Sequence, residues 1–321
     1  MLLRRVIANT YYFTGRYLNR LNGNVVILTY HRVLSDAELN ESYVQPGMYV
    51  HKDVFEEHMR FLKSNFVILS FQKLLELWDK KAVEEDKRYC VITFDDGWLD
   101  NYTNAYPILK KYELPATIFL VTSFIGTDEW FWPEKIIYLL MQNKKKGHDV
   151  LNGYGITSAA IEDIITNCKK LNDAELANLL RDMINNSGGR ISWMRMLLNW
   201  DEVREMSEFN IHFGSHTKMH KILTNVPISE VRREIAGSLK RLKKEKINHV
   251  PVFCYPNGNF TPAIAECVKE EGFMAAVGTS PGVENSRPGD IFGLRRIGIH
   301  NDISNTVPLF AYRLSQGGRC Q

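Results

Sequence analysis

The sequence predicts an α/β fold with parallel strands, and three observations predict it. Short apolar runs at VVILTYHRV (25–33), FVILS (66–70) and ATIFLV (116–121) alternate with stretches whose apolar residues recur at helical spacing. The run RYCVITFDDGW (88–98) delivers two adjacent acids to a glycine turn, so polar chemistry gathers where a buried strand stops. The alternation breaks near residue 126 and resumes near residue 200 with the same rhythm. Strands alternating with helices are the pattern of an α/β barrel or a doubly wound sheet.

Residues 1–24 carry Leu3, Val6, Ile7, Phe13, Tyr17 and Leu21 near helical spacing, with Arg4, Arg5, Arg16 and Arg20, and no acid precedes Asp36. They read as a basic amphipathic helix, either packed on the domain or lying on a membrane surface. Asn9, Thr10, Gly15 and Arg16 interrupt the apolar run and no cleavage site is clear, which argues against a cleaved signal peptide. A strand ending at Tyr30, His31 and Arg32 leads into a polar loop to about Val50. Helices are expected over 52–66, through Phe55, Met59, Phe61 and Leu62, and from about Ser70 to Lys81. The Asp95–Asp96 strand, a helix near 99–112 and the strand at 116–121 follow.

From about 126 to 196 a helical insertion is expected, with the cluster Trp130, Phe131, Trp132 and helices near 134–142, 159–168 and 173–185. The charge runs at 144–146 and 240–246 read as solvated faces. Helices near 200–207, 229–244 and 262–272 then alternate with strands at 211–216, 250–256, 274–279 and 294–300. There is no internal repeat and no Gly, Pro or Ser-rich linker, so residues 25–321 read as a single domain interrupted by the insertion.

The net charge of +3 is spread over 40 basic and 37 acidic residues, which argues against nucleic acid as a partner, because phosphate binding asks for a concentrated basic face. Cys90, Cys168, Cys254, Cys267 and Cys320 show neither CxxC spacing nor a disulfide rhythm and read as reduced thiols of a cytoplasmic protein. With no continuously apolar window of about 18 residues, a membrane-spanning helix is not expected.

Asp95 and Asp96 are the first candidates for chemistry. Like charges that close raise each other's pKa unless a cation separates their roles, so one metal ligand and one general base is the expected division. His216 and His220, in HTKMH directly after a strand, would face one ion from a first helical turn. HxxxH by itself is weak, since two histidines four apart are more often surface or capping residues; the strand end and the upstream acids raise it. Two His and one carboxylate with open positions suit a catalytic divalent ion. Asp96 is the natural third ligand, which frees Asp95 as base.

With these residues the chain resembles the polysaccharide deacetylases of carbohydrate esterase family 4, the NodB-homology domain. TFDDGW (93–98) is similar to that family's first motif, SHTKMH (215–220) to its second, YPNG (255–258) to its third and GIH (298–300) to its last. The resemblance covers roughly 25–125 and 197–302 and leaves the insertion outside it. It implies a distorted (β/α) barrel that hydrolyses the N-acetyl group of amino sugars with a divalent metal on Asp96, His216 and His220. Zinc is the expected ion, with cobalt or nickel able to substitute. YHRV near residue 30 resembles a subset of the family linked to exopolysaccharide and surface-glycan synthesis.

By the same resemblance Asp95 is the base, the backbone N–H of Asn257 shares the oxyanion charge, and His300 protonates the departing amine. Tyr255, Pro256, Gly258, Trp98 and His31 are expected to contact the sugar, although a buried, hydrogen-bonded His31 and a His300 merely satisfied at a strand end are competing readings. One departure matters: where many members place an arginine that braces the catalytic Asp, this chain has Cys254. Arg296 is the expected replacement, because it shares strand parity with Gly298 and His300 while Arg295 points away.

A relative acting on another C–N amide bond, such as a deformylase, is the runner-up. A silent glycan-binding module is disfavoured because Asp95, Asp96, His216 and His220 are all present. A cytoplasmic enzyme meets a glycan before export. The expected substrate is therefore an N-acetylated precursor, one still lipid-linked included, reached at the inner membrane face through residues 1–22.

Overall fold

The described strands are β1 (Val25–Tyr30), β2 (Arg32–Leu34), β3 (Tyr49–His51), β4 (Val67–Ile68), β5 (Tyr89–Phe94), β6 (Ala116–Leu120), β7 (Ile211–Ser215), β8 (His249–Cys254), β9 (Ala275–Val277) and β10 (Ile297–Gly298). They come from a computed structural model that describes residues 2–14, 18–41, 43–187 and 194–318. Arg16, Tyr17 and Cys320 lie outside the described residues, as do the side chains of Leu3 and Arg4. Every residue of β1 and β5 is buried, which is why both read as unbroken apolar runs.

Eight strands form one parallel sheet in the order β10-β1-β5-β6-β7-β8-β9, with β4 paired to the start of β5, where β6 does not reach. Leu294, just ahead of β10, bridges Val277 of β9, while β10 itself pairs with Leu28 and Thr29 of β1. The last segment therefore touches both ends of the strand order and curls the sheet into the distorted (β/α) barrel that the sequence predicts. The strand expected over 294–300 shrinks to β10 because its bonds are divided: Arg296 N–H donates to Ser280 and Ile299 N–H to Thr29.

The helices Lys52–Asn65, Phe71–Asp79, Trp200–Ser207, Ile228–Glu245 and Pro262–Glu270 lie within a residue or two of their expected bounds. Two regions differ. The polar loop after His31 contains β2 and β3, paired in parallel, and a short helix Asp36–Glu41. The helix expected near 99–112 is divided into a π turn, Asn101–Ala105, and a helix Tyr106–Tyr112. Pro107, in the first turn of the second part, has no N–H to continue the ladder.

A helix not anticipated from sequence, Val307–Ser315, buries Leu309, Phe310 and Leu314. The N-terminal helix Leu2–Phe13 packs against it, with Ala8 fully buried and the Tyr11 ring edge-on to Tyr312 at 5.8 Å. Val6, Ile7 and Phe13 of this helix are exposed.

Residues 128–196 form a separate compact unit. Helices Trp132–Gln142, Lys144–Gly153, Ile161–Cys168 and Asp173–Asn186 enclose a core that includes Ile136, Leu140, Leu151, Ile164, Leu179 and Met183. The second of these, not anticipated from sequence, begins with the charge run at 144–146. Phe131 is buried, Trp132 packs on the helical core, and the Trp130 indole N–H donates to the Met194 carbonyl at 2.7 Å.

Candidate active site

The sequence motifs meet at the carboxyl ends of the strands, where an α/β sheet leaves room for a ligand. Ladder bonds continue just past the strands and fix these ends. Asp95 N–H donates to Tyr30 (3.0 Å), His216 N–H to Leu120 (2.9 Å) and Tyr255 N–H to Val277 (3.1 Å). Asp96 and Gly97 then turn the chain in succession with φ of +77° and +79°. Glycine adopts this φ without strain, and a Cβ at Gly97 would lie 2.7 Å from the Leu120 side chain and have to displace it.

Asp95 and Asp96 are both buried, yet their surroundings differ. Arg296 donates to Asp95 from Nη1 to Oδ1 and from Nη2 to Oδ2, each at 2.7 Å, and to the Gly278 carbonyl, Thr93 Oγ1 and Cys254 Sγ. Burial pushes the Asp95 carboxyl up. Charge from and bonds to Arg296, with His216 and His31 adding to them, outweigh burial and hold it well below the usual carboxylate range. Arg295 instead pairs with Glu284. The arginine absent at Cys254 is thus supplied from the segment leading into β10, and the smaller thiol leaves space for it.

Asp96 Oδ1 lies 3.5 Å from His216 Nε2 and 3.4 Å from His220 Nε2. Its Oδ2 accepts the Trp98 indole N–H at 2.9 Å. His216 Nδ1 lies 2.9 Å from the Cys254 carbonyl, and a ring that donates there turns a lone pair on Nε2 toward Asp96. Burial and the neighbouring His220 push the His216 imidazole down to about 4, so it is neutral, as a metal ligand must be.

The donor set therefore fits a divalent ion. One ligand atom each from Asp96, His216 and His220 lies within 4.8 Å of the others. Asp95, His216 and Cys254 satisfy the same distance, but Arg296 occupies both Asp95 oxygens and burial keeps the Cys254 thiol protonated despite Arg296.

The expected helical turn at HTKMH is absent. Residues 216–220 form a loop in which Thr217 and His220 have φ of +66° and +58°. The imidazoles still converge, with ring centroids 4.8 Å apart. Side chains and the neighbouring loop take the place of helical bonds here, with Thr122 and Ser123 N–H donating to the Thr217 and Lys218 carbonyls.

Three residues expected to contact the sugar do not present a surface to it. Trp98 is 2% exposed, its ring beneath the Arg32 guanidinium, so it supports Asp96 from behind. Tyr255 is fully buried, stacked on Phe260 and donating to the Phe292 carbonyl, and Pro256 beside it is buried too. They shape the turn that carries Asn257, which is exposed with φ of +57°, and Gly258.

His31 is half-buried between β1 and β2, its carbonyl accepting from Asn101 Nδ2 at 2.8 Å. His300 is half-buried after β10, with Nδ1 3.0 Å from Asp302 Oδ2. Burial lowers its pKa, and Asp302 opposes the shift.

Several supporting residues gave no sequence signal. Asp100 accepts from Arg32 Nε and Val33 N–H, and Asn104 donates to the Val33 carbonyl, so the π turn after the first motif grips the link carrying His31. Asp302 and Glu234 are likewise seen only in three dimensions. The spacing DNxxN (100–104) is the single trace that sequence offers, and it means little until the helix is known to open there.

A curled parallel sheet gathers at its strand ends two acids of opposite environment and two histidines, a donor set that could hold a metal ion. The chain belongs to the polysaccharide deacetylase family, whose profile matches residues 82–276, more than half of its length. It is 25% identical over 285 residues to YxkH of Bacillus subtilis, provisionally described as a polysaccharide deacetylase, covering 88% of this chain and 73% of that one. It is 35% identical over 132 residues to the poly-beta-1,6-N-acetyl-D-glucosamine N-deacetylase of Staphylococcus aureus (strain MSSA476), covering 39% of this chain and 45% of that one. In fold it is similar to the Streptococcus pyogenes deacetylase PplD solved with acetate, at a TM-score of 0.59, 20% identity and coverage of 88% and 96%.

Proposed function

We propose that this protein removes the N-acetyl group from an amino sugar of a surface polysaccharide or its precursor, with a divalent metal ion held by Asp96, His216 and His220. The observation that carries the reading is the division of labour between neighbouring acids: Asp95 is clamped by Arg296, whereas Asp96 faces two imidazole nitrogens. When bound, an ion of this ligand set, zinc foremost and cobalt or nickel in its place, supplies Lewis-acid polarisation of the amide carbonyl.

The chain supplies the rest. Asp95, kept ionised by Arg296, accepts the proton of the attacking water as its oxygen bonds to the acetyl carbon. The N–H of Asn257, exposed on a turn, donates to the oxyanion. His300, oriented through Nδ1 by Asp302, gives a proton to the amine nitrogen as the C–N bond breaks, leaving acetate and a free amine. The name of the staphylococcal relative supports an N-acetylglucosamine polymer as the substrate class.

The test is acetate release from N-acetylglucosamine oligomers and lipid-linked precursors, with N-formyl sugars beside them. Asp95→Asn should retain zinc and lose roughly 10²–10⁴-fold in turnover. Formate but no acetate would select the deformylase reading. Sugar binding without turnover by the zinc-loaded protein would select a binding module.

We propose that the N-terminal helix brings this activity to an anionic membrane surface. Val6, Ile7 and Phe13 are 54%, 44% and 81% exposed while Ala8 is buried, so the helix turns apolar side chains outward. Arg5 and Arg20 are exposed, and each basic residue near an anionic leaflet adds about 1 kcal/mol of attraction. The full chain should co-sediment with anionic vesicles, and the chain with Val6, Ile7 and Phe13 changed to Ser should not. Equal binding by both would remove this placement.

A further inference from the structure

Every backbone N–H from residue 217 to 220 is held by a side-chain oxygen. Thr217 donates to Ser215 Oγ at 3.3 Å, Lys218 and Met219 to Glu234 Oε2 at 3.0 and 2.7 Å, and His220 to Thr217 Oγ1 at 2.9 Å. Of these acceptors, Glu234 is the one from outside β7 and the loop that follows it, and it comes from the helix Ile228–Glu245. It is 2% exposed, and a glutamate is almost never so buried unless it is paired, as this one is with two backbone N–H groups.

The same helix face grips the loop on either side of that contact. One turn earlier Glu230 pairs with Lys221 at 3.2 Å, and one turn later Ser238 Oγ lies 2.6 Å from Ser215 Oγ. At Gly237 the Lys218 stem lies so close that a Cβ would be 3.3 Å from it. The loop needs such a grip, because Thr217 and His220 are both left-handed. That conformation is unfavourable for an L residue and persists only where the surroundings fix it.

We propose that Glu234 is a positioning residue of the metal centre. Seated on two successive N–H groups, its carboxylate locks the 217–220 loop and so holds His220 Nε2 against Asp96 in advance of the ion. The inference rests on the reading of Asp96, His216 and His220 as a metal site. Without the lock, binding an ion must also order the loop, and that ordering comes out of the affinity.

The experiment measures equilibrium Zn2+ affinity of the full chain by chelator competition for wild type, Glu234→Ala, Glu234→Gln and His220→Ala. The visible spectrum of each Co2+-loaded protein and the unfolding midpoint of each metal-free protein accompany it. Glu234→Ala should lose about 10–100-fold in affinity, the usual effect of removing an outer-shell partner, and its cobalt spectrum should move toward that of His220→Ala. Glu234→Gln, which keeps an acceptor oxygen, should recover part of the loss.

Unchanged affinity and spectrum in Glu234→Ala, with both altered in His220→Ala, would overturn the proposal while leaving the metal site intact. If Glu234→Ala does not fold, wild-type affinity and spectrum in Glu234→Gln would overturn it instead. If His220→Ala also binds like wild type, or wild type binds no ion, the metal reading fails and takes this one with it.

Discussion

The Arg296 guanidinium meets the Asp95 carboxylate through two parallel hydrogen bonds of 2.7 Å, reaching from the segment before β10 to the turn after β5. Both groups are buried, so each leaves the other uncompensated if removed. Breaking a buried pair from one side costs about 3–5 kcal/mol. Arg296→Met should therefore lower the unfolding midpoint. Without the guanidinium, burial is opposed only by the smaller pull of His216 and His31, and the Asp95 pKa rises. The acidic limb of the pH profile for acetate release should move to higher pH, and an unmoved limb in folded Arg296→Met would show that Arg296 does not set the ionisation of Asp95.

Trp98 donates its indole N–H to Asp96 Oδ2, leaving Oδ1 toward the two histidines. Trp98→Phe keeps an aromatic ring under Arg32 but removes that donor. Zinc affinity should fall by about 10-fold or more while the fold survives, since outer-shell partners orient the ligands they touch. Chelator competition checks this, and wild-type affinity in the variant would mean that packing alone fixes Asp96.

At Gly258 the backbone has φ of +74°, and a Cβ would lie 2.0 Å from Thr279 Oγ1 and 2.7 Å from Thr279 N. Gly258→Ala must shift one of the two loops, at a cost of at least about 1–2 kcal/mol from the left-handed conformation alone. The adjacent Asn257 N–H would move with it. Thermal unfolding should show the lost stability, and acetate release should fall further than Thr279→Ser makes it fall.

His58 is fully buried, stacked on Phe310 at 3.9 Å, with Nε2 at 2.8 Å from the Ser304 carbonyl and Nδ1 at 3.3 Å from the Tyr30 hydroxyl. Burial lowers its pKa to about 3, against the raising effect of Ser304. The unfolded chain takes up this proton near pH 6.5 and the folded chain does not until about 3. The stability involved is complete above about pH 6.5 and is lost as pH falls, by up to about 1.4 kcal/mol per unit. Urea unfolding between pH 7 and 4 should show this slope in wild type and a shallower one in His58→Phe. Parallel slopes would mean that His58 is already charged or unburied.

Much of the site is legible in TFDDGW and SHTKMH, because strand-end acids and a His pair depend on local order alone. The shape of the second motif is not. Its i, i+4 spacing suits a helix, but Ser215, Thr217 and Glu234 satisfy the backbone in another way, and Glu234 lies far along the chain. Strand parity singles out Arg296, whereas its reach to Cys254 requires the last segment to close against β9, one strand away from β8. Trp98 and Tyr255 look like sugar contacts in sequence. Their burial follows from neighbours that no motif names.

The sequence by itself determined the alternation of strands and helices, the insertion and the identity of the reactive groups, since apolar periodicity and residue chemistry are carried by near neighbours. Tertiary structure decided which acid is clamped and which is open to an ion, where the loop of His220 is held, and which aromatic residues face inward. Those outcomes depend on curling the sheet until the segment at Leu294–Gly298 lies between β9 and β1. Closure of that kind sums weak, long-range contacts, and no short stretch of the chain encodes it.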